Sequence, residues 1–149
     1  MKKIIMTPNS PAPIGPYNQA VLAGDTLYVS GTIALDLQTN KLMKLSIKDE
    51  TKQVMEYLGE ILKEAGMTYE NVVKTSIFLS DMNNFVQVNE VYSAYFTSNF
   101  PARATIEARR LPKDANVEIS LEAVQNEEER QEKRNERLTE LFRGRDKKW

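Results

Sequence analysis

The chain has 149 residues, 41% of them hydrophobic and 28% charged, with a net charge of −1. That is room for one domain around one core, and no global charge favours nucleic acid or an anionic membrane. Neither cysteine nor histidine occurs, which excludes disulfides, thiolate nucleophiles, Ser-His-Asp arrangements and histidine-ligated zinc. Chemistry is left to carboxylates, arginine, tyrosine, hydroxyls, backbone groups and water. No apolar run approaches the ~20 residues of a membrane span. Met1–Met6 has a charged start but no long apolar stretch after it, so no signal peptide is read and the cytoplasm is the default location.

Lys3 to Thr7 reads as a short strand ending at Pro8. Asn9 to Pro16 holds three prolines and a glycine, so it cannot be regular structure, and such a stiff loop can place Tyr17 accurately. Gln19 to Leu22 and Thr26 to Ser30 read as a hairpin around Ala23-Gly24-Asp25, with Gly31 ending its second strand. Ile33 to Leu37 is a further short extended piece before a turn at Gln38-Thr39-Asn40.

Ser46-Ile47-Lys48-Asp49 predicts a capping box at the start of a helix. Val54, Leu58, Ile61, Leu62 and Ala65 form its apolar stripe, and Gly66 stops it. In the strand from Val72 to Ser80, Val73, Thr75, Ile77 and Leu79 fall on one face, against Lys74, Ser76 and Phe78. Asp81 caps a second helix whose stripe is Phe85, Val88, Val91, Tyr92, Tyr95 and Phe96. Arg103 to Arg110 reads as a strand closed by the turn Leu111-Pro112-Lys113-Asp114. Val117, Ile119, Leu121 and Ala123 then alternate with Glu118, Ser120 and Glu122, and two strands joined by a short turn are expected to pair antiparallel. The order β-β-β-α-β-α-β-β predicts an α+β fold, a mixed sheet with two helices on one face.

Residues 1–125 form that domain, and the composition changes from Asn126 onward. Residues 126–149 carry eight basic and seven acidic side chains, net +1 against −2 for residues 1–125. Acids in the first turn and bases toward the end suit a helix macrodipole, so a charged helical extension is expected. Only Leu138, Leu141 and Phe142 give it an apolar face, and without a partner for them it should fray. Acids nearly cancel its bases and no aromatic platform accompanies them, which disfavours nucleic-acid binding.

Arg103 reads either as a surface arginine in a salt bridge or as a planar fork that clamps a carboxylate. Glu118 on an alternating strand has the bland reading of a solvated side chain. Tyr17 is divided between packing and ligand contact, and Asn89 is a polar residue within an apolar helical stripe. An arginine near the start of one strand and a glutamate near the start of the next need not meet within one chain.

Six segments stand in a recognisable order: Ile14-Gly15-Pro16-Tyr17; Ser30-Gly31; Val72-Val73-Lys74-Thr75; Val88-Asn89-Glu90-Val91-Tyr92; Phe100-Pro101-Ala102-Arg103; and Leu111-Pro112-Lys113-Asp114 followed by Val117-Glu118-Ile119. Together they resemble the Rid (YjgF) family of imine deaminases, over roughly residues 2 to 124. The resemblance implies a chorismate-mutase-like fold and a homotrimer forming a central barrel, with active sites in the clefts between subunits. It implies hydrolysis of small 2-imino or enamine acids, such as 2-iminobutanoate and 2-iminopropanoate, to 2-oxo acids and ammonia, with no cofactor and no metal. Arg103 then matches the residue that holds the substrate carboxylate, and Glu118 the one that positions or activates water. Tyr17, Gly31 and Asn89 match residues lining the same cleft. Thr105 stands where a cysteine is usual, its backbone carbonyl facing the imine nitrogen.

The chain departs from that pattern at Thr32, at Ala108-Arg109, and at Lys44-Leu45, which with Leu42, Met43 and Tyr57 would put apolar groups on the surface. Residues 126–149 have no family counterpart. These departures give a second reading: a binding or assembly subunit on the same fold, natural or engineered, with the cleft idle and the tail helix or the Leu42–Leu45 patch joining trimers or a partner.

Overall fold

The computed structural model describes residues 1–145. Strands β1 (Lys2–Ile5), β2 (Ala20–Ala23) and β3 (Thr26–Thr32) precede helix α1 (Ile47–Glu64); strand β4 (Val72–Leu79) precedes helix α2 (Phe85–Ser93). Strands β5 (Ala102–Glu107) and β6 (Val117–Val124) follow, then helix α3 (Glu127–Arg145). The six strands make one mixed sheet in the order β1-β2-β3-β6-β4-β5. The α+β architecture and the succession of elements are as the sequence predicts.

Leu27, Val29, Ile77, Leu79, Val117, Ile119 and Leu121 point from the sheet into one core with Val54, Leu58, Ile61 and Leu62 of α1 and Val88 and Tyr92 of α2. Ser46 caps α1 by accepting from the Asp49 backbone N–H, one half of the predicted box. Gly66, at φ +72°, takes the left-handed turn that ends it. Asp81 caps a short 3-10 turn, Met82–Asn84, that leads into α2.

The predicted hairpin between the last two domain strands does not form. β5 pairs in parallel with β4 and lies at the sheet edge, while β6 pairs antiparallel with β4 on its other side. The segment from Ala108 to Asn116 thus crosses past β4. Alternation fixes which residues share a face, but not which strand is the neighbour.

Three local expectations also change. A register shift between Val72 and Lys74 buries Val72 and leaves Val73 47% exposed, so the inward set of β4 begins one residue earlier than strict alternation gives. Gly31 does not end β3, which runs through a similar irregularity to Thr32. The Ile33–Leu37 piece forms only one bridge, Leu35 to Leu42.

The expected surface patch is largely packed inward. Leu42 sits against the satellite cluster of Ile33, Leu35, Leu111 and Ala115. Tyr57 is buried and its hydroxyl donates to the Leu35 carbonyl at 2.6 Å. Leu45 alone stays at the exposed limit, at 36%.

Helix α3 leaves the body directly after β6. A reciprocal cap starts it: Glu129 N–H donates to Asn126 Oδ1 at 2.8 Å, and Asn126 N–H to Glu129 Oε2 at 3.0 Å. Arg130 pairs with Asp25 of the β2–β3 turn at 2.7 Å. Leu138, Leu141 and Phe142 are 46%, 66% and 61% exposed. Residues 146–149 of the predicted extension lie outside the described residues. Among the described residues no helix is long and apolar enough to cross a membrane.

Candidate active site

Laddered residues on adjacent strands share a face, so pairing assigns every candidate side chain to one side of the sheet. On β4, Thr75, Ile77 and Leu79 are buried toward the helices. Their partners on β5 are Arg103, Thr105 and Glu107. Phe78, Ser76 and Lys74 face the other way, and their partners on β6 are Glu118, Ser120 and Glu122. Arg103 and Glu118 therefore leave opposite faces of the sheet.

Glu118 belongs to a cavity of about 340 Å³. The proline-rich loop supplies Pro11, Ala12 and Ile14, and β3 and its continuation supply Ser30, Gly31 and Ile33; Tyr17 and Pro112 also line it. The Glu118 carboxyl lies so close over Gly31 that a Cβ there would stand 2.8 Å from Cδ and 3.0 Å from Oε2. Gly31 is needed for that close approach. Burial pushes the Glu118 carboxyl above the ordinary glutamate value, because a half-buried carboxylate loses hydration. A raised value makes the ionised carboxylate a stronger proton acceptor than an ordinary glutamate.

The loop that walls this cavity is tied down by Gln19, which sequence reasoning passed over. Its Oε1 accepts from Thr7 N–H at 2.8 Å, and its Nε2 donates to the carbonyls of Thr7, Ser10 and Pro11 at 3.1, 3.1 and 2.9 Å. The sequence offered only a glutamine three residues after the last proline of the loop, and its burial could not be read there. Tyr17 is 45% exposed, and its hydroxyl accepts from Ile14 N–H at 3.2 Å, closing the loop's end.

Across the sheet, the Arg103 guanidinium lies over two rings of α2, its carbon 5.0 Å from the Tyr92 centroid and 5.6 Å from that of Phe85. Its Nη1 donates to Asn89 Oδ1 at 2.8 Å. Tyr92 is fixed in turn by a 2.8 Å hydrogen bond between its hydroxyl and Thr75 Oγ1. Among the described residues Arg103 has no carboxylate partner, so the rest of its fork is free for a ligand's. Thr105 follows on the same face, its Oγ1 buried without a hydrogen-bond partner among the described residues.

The structure thus brings the six predicted residues together as two groups: Glu118, Gly31 and Tyr17 at one cavity, and Arg103, Asn89 and Thr105 on the reverse of the sheet. The aromatic platform under Arg103 was visible in sequence only as part of an apolar helical stripe.

The family model described as endoribonuclease L-PSP matches residues 7–125. The human 2-iminobutanoate/2-iminopropanoate deaminase is 46% identical over 125 residues, 84% of this chain and 91% of that protein. A RutC family protein of Synechocystis is 51% identical over 82% of this chain and 95% of its own length. Among solved structures, the Rid family protein YyfA of Yersinia pestis superposes with a TM-score of 0.81 at 42% identity, over 84% of this chain and all of that one (100%). E. coli TdcF with bound serine gives 0.79 at 34% identity, over 83% of this chain and 99% of that chain.

Proposed function

The chain belongs to the Rid family, matched by the model described as endoribonuclease L-PSP, and on that premise we propose that it hydrolyses 2-imino acids such as 2-iminobutanoate to 2-oxo acids and ammonia. The observation that carries the reading is the Glu118 carboxyl, half buried over Gly31 in a cavity whose wall, among the described residues, includes no lysine or arginine. A phosphate-rich substrate would meet a negative charge there. A small acid with an electrophilic C=N carbon would meet a proton acceptor.

The carboxylate of that acid needs a cation, and Arg103 supplies one only from another protomer. Three protomers around a threefold axis would place the Arg103 face of one chain at the Glu118 cavity of the next. The free part of the guanidinium would hold the carboxylate, while the Phe85 and Tyr92 rings and Asn89 keep it in place. Glu118 would take a proton from water as the oxygen adds to the C=N carbon. It would pass that proton to the nitrogen to give a carbinolamine, then take the hydroxyl proton and pass it to the nitrogen as the C–N bond breaks, leaving the 2-oxo acid and ammonia. The bound serine of TdcF is consistent with this reading, since serine carries its carboxylate and nitrogen on one carbon as an imino acid does.

The test is ammonia release from enzymatically generated 2-iminobutanoate by the parent chain and by Arg103→Ala. The parent should turn over, and the variant should lose activity with its trimer mass unchanged. Equal rates would reject the assignment of Arg103.

The exposed Leu138, Leu141 and Phe142 on α3 favour a second reading, in which this helix joins trimers or recruits a partner. Mass measurement in solution with and without residues 126–149 decides it: an unchanged trimer mass removes the assembly role.

A further inference from the structure

We infer that Glu50, in the first turns of α1, is a positioning residue for Glu118. Glu50 is 1% exposed, and among the described residues it has no cation partner. A buried carboxylate without a counter-ion persists only where hydrogen bonds satisfy it. Among the described residues, the hydrogen bonds of its carboxylate all go to the two residues immediately before Glu118. Oε2 accepts from Asn116 N–H at 2.9 Å and Val117 N–H at 3.0 Å, and Oε1 accepts from the Asn116 side-chain amide at 3.0 Å.

What Glu50 restrains is a segment with reason to move. Lys113 and Asp114 both stand at φ +58°, a conformation side-chain-bearing residues rarely adopt. The same turn contributes Pro112 to the wall of the cavity. Besides the exposed Arg110–Asp114 ion pair at 2.6 Å and the pairing of Val117 with Leu79, its neighbouring anchors are Ser80 N–H on the Asn116 carbonyl at 3.1 Å and a longer Ser80 Oγ contact to Asn116 Oδ1 at 3.4 Å. Glu50 thus fixes the end of a strained turn to a helix embedded in the core, where the chain enters β6. Glu118 is the next residue, and it must settle over Gly31 in a space where a single Cβ would not fit. A small shift or rotation at Val117 is carried directly into the carboxyl that faces the cavity. The inference rests on the deaminase reading for its kinetic consequence and on geometry alone for its structural one.

Glu50→Gln, Glu50→Asp and Glu50→Leu separate positioning from mere support. Gln keeps the length and one oxygen for both backbone N–H groups. Asp keeps the charge but withdraws its oxygens by one methylene, and serves where Leu fails to fold. Expected is a kcat loss of about tenfold or more in Asp and Leu, with KM within about threefold, because the carboxylate-binding arginine belongs to another protomer. Gln should recover kcat to within about threefold of the parent. A second readout needs no turnover: the ¹³C resonance of the Glu118 carboxyl, assigned by its loss in Glu118→Gln and followed through a pH titration. Its midpoint should move in Asp or Leu and stay in place in Gln. If the parent releases no ammonia, the deaminase reading fails and the titration still judges Glu50. An unmoved Glu118 midpoint in a folded Asp or Leu variant overturns the inference, as does a Gln variant no better than Leu.

Discussion

Arg103 and Glu118 project from opposite sides of one sheet, with β4 between their strands: Arg103 is laddered to the inward Thr75 and Glu118 to the outward Phe78. A single chain cannot direct both at the same small molecule. If both serve one reaction, the catalytic unit is a pair of protomers, and each chain contributes to two different sites.

Complementation should follow. Arg103→Ala and Glu118→Gln chains, each inactive alone, are unfolded together and reassembled at equal amounts. Random mixing leaves about a quarter of the clefts with an intact arginine and an intact glutamate, so about a quarter of parental activity should return. No recovery in verified mixed trimers would place both groups in separate functions.

Gly31→Ala should spare the fold and damage the site. The new methyl meets the flexible end of Glu118, at 2.8 Å from Cδ, so the carboxyl swings aside rather than the backbone. Stability should fall by less than about 1 kcal/mol, while kcat drops about tenfold or more. Chemical denaturation and steady-state kinetics on one preparation check both numbers.

The burial that raises the Glu118 carboxyl above its ordinary 4.5 has a sign that can be measured. The folded chain holds this proton more tightly than the unfolded chain. Its stabilising contribution is therefore present below the ordinary glutamate range and lost as pH rises through the folded value. Glu118→Gln should be more resistant to denaturant than the parent at pH 7, with the advantage gone near pH 4. With Glu118 in its proposed role as proton acceptor, parental kcat should decline on the acid side with a midpoint above about 4.5.

Asn89→Ala removes the 2.8 Å contact that holds Arg103 Nη1 but leaves the rings beneath the guanidinium. KM should rise severalfold with kcat nearly unchanged, the pattern of an interaction made equally in ground and transition states. A fall in kcat at constant KM would instead give Asn89 a part in the chemistry.

Periodicity made most of this fold readable, because helices and strands with one buried side repeat at spacings set by geometry alone. It located α1 through Val54, Leu58 and Ile61, and β6 through Val117 to Ala123. It could not tell that β5 joins the far side of β4, because pairing partners are chosen by the whole sheet. Nor could it see the irregularity that turns Val73 outward. At the site, Glu118 and Gly31 were legible as separate candidates, but their contact was not. Glu50 gave no signal in the sequence and Tyr57 looked like a surface aromatic, since burial of a polar group depends on partners distant in sequence.

The cap and ion pair at the root of α3 make that helix more than an appendage. Its 19 residues extend about 28 Å from root to tip, and Asn126, Glu129 and Arg130 fix the angle at which it departs. A passenger protein fused after it through a short stiff link would ride on an outrigger anchored at its root, holding its full length once Leu138, Leu141 and Phe142 are covered. Replacing Asn126 and Arg130 should let the same passenger swing, a difference that distance measurements between paired fluorophores would read directly.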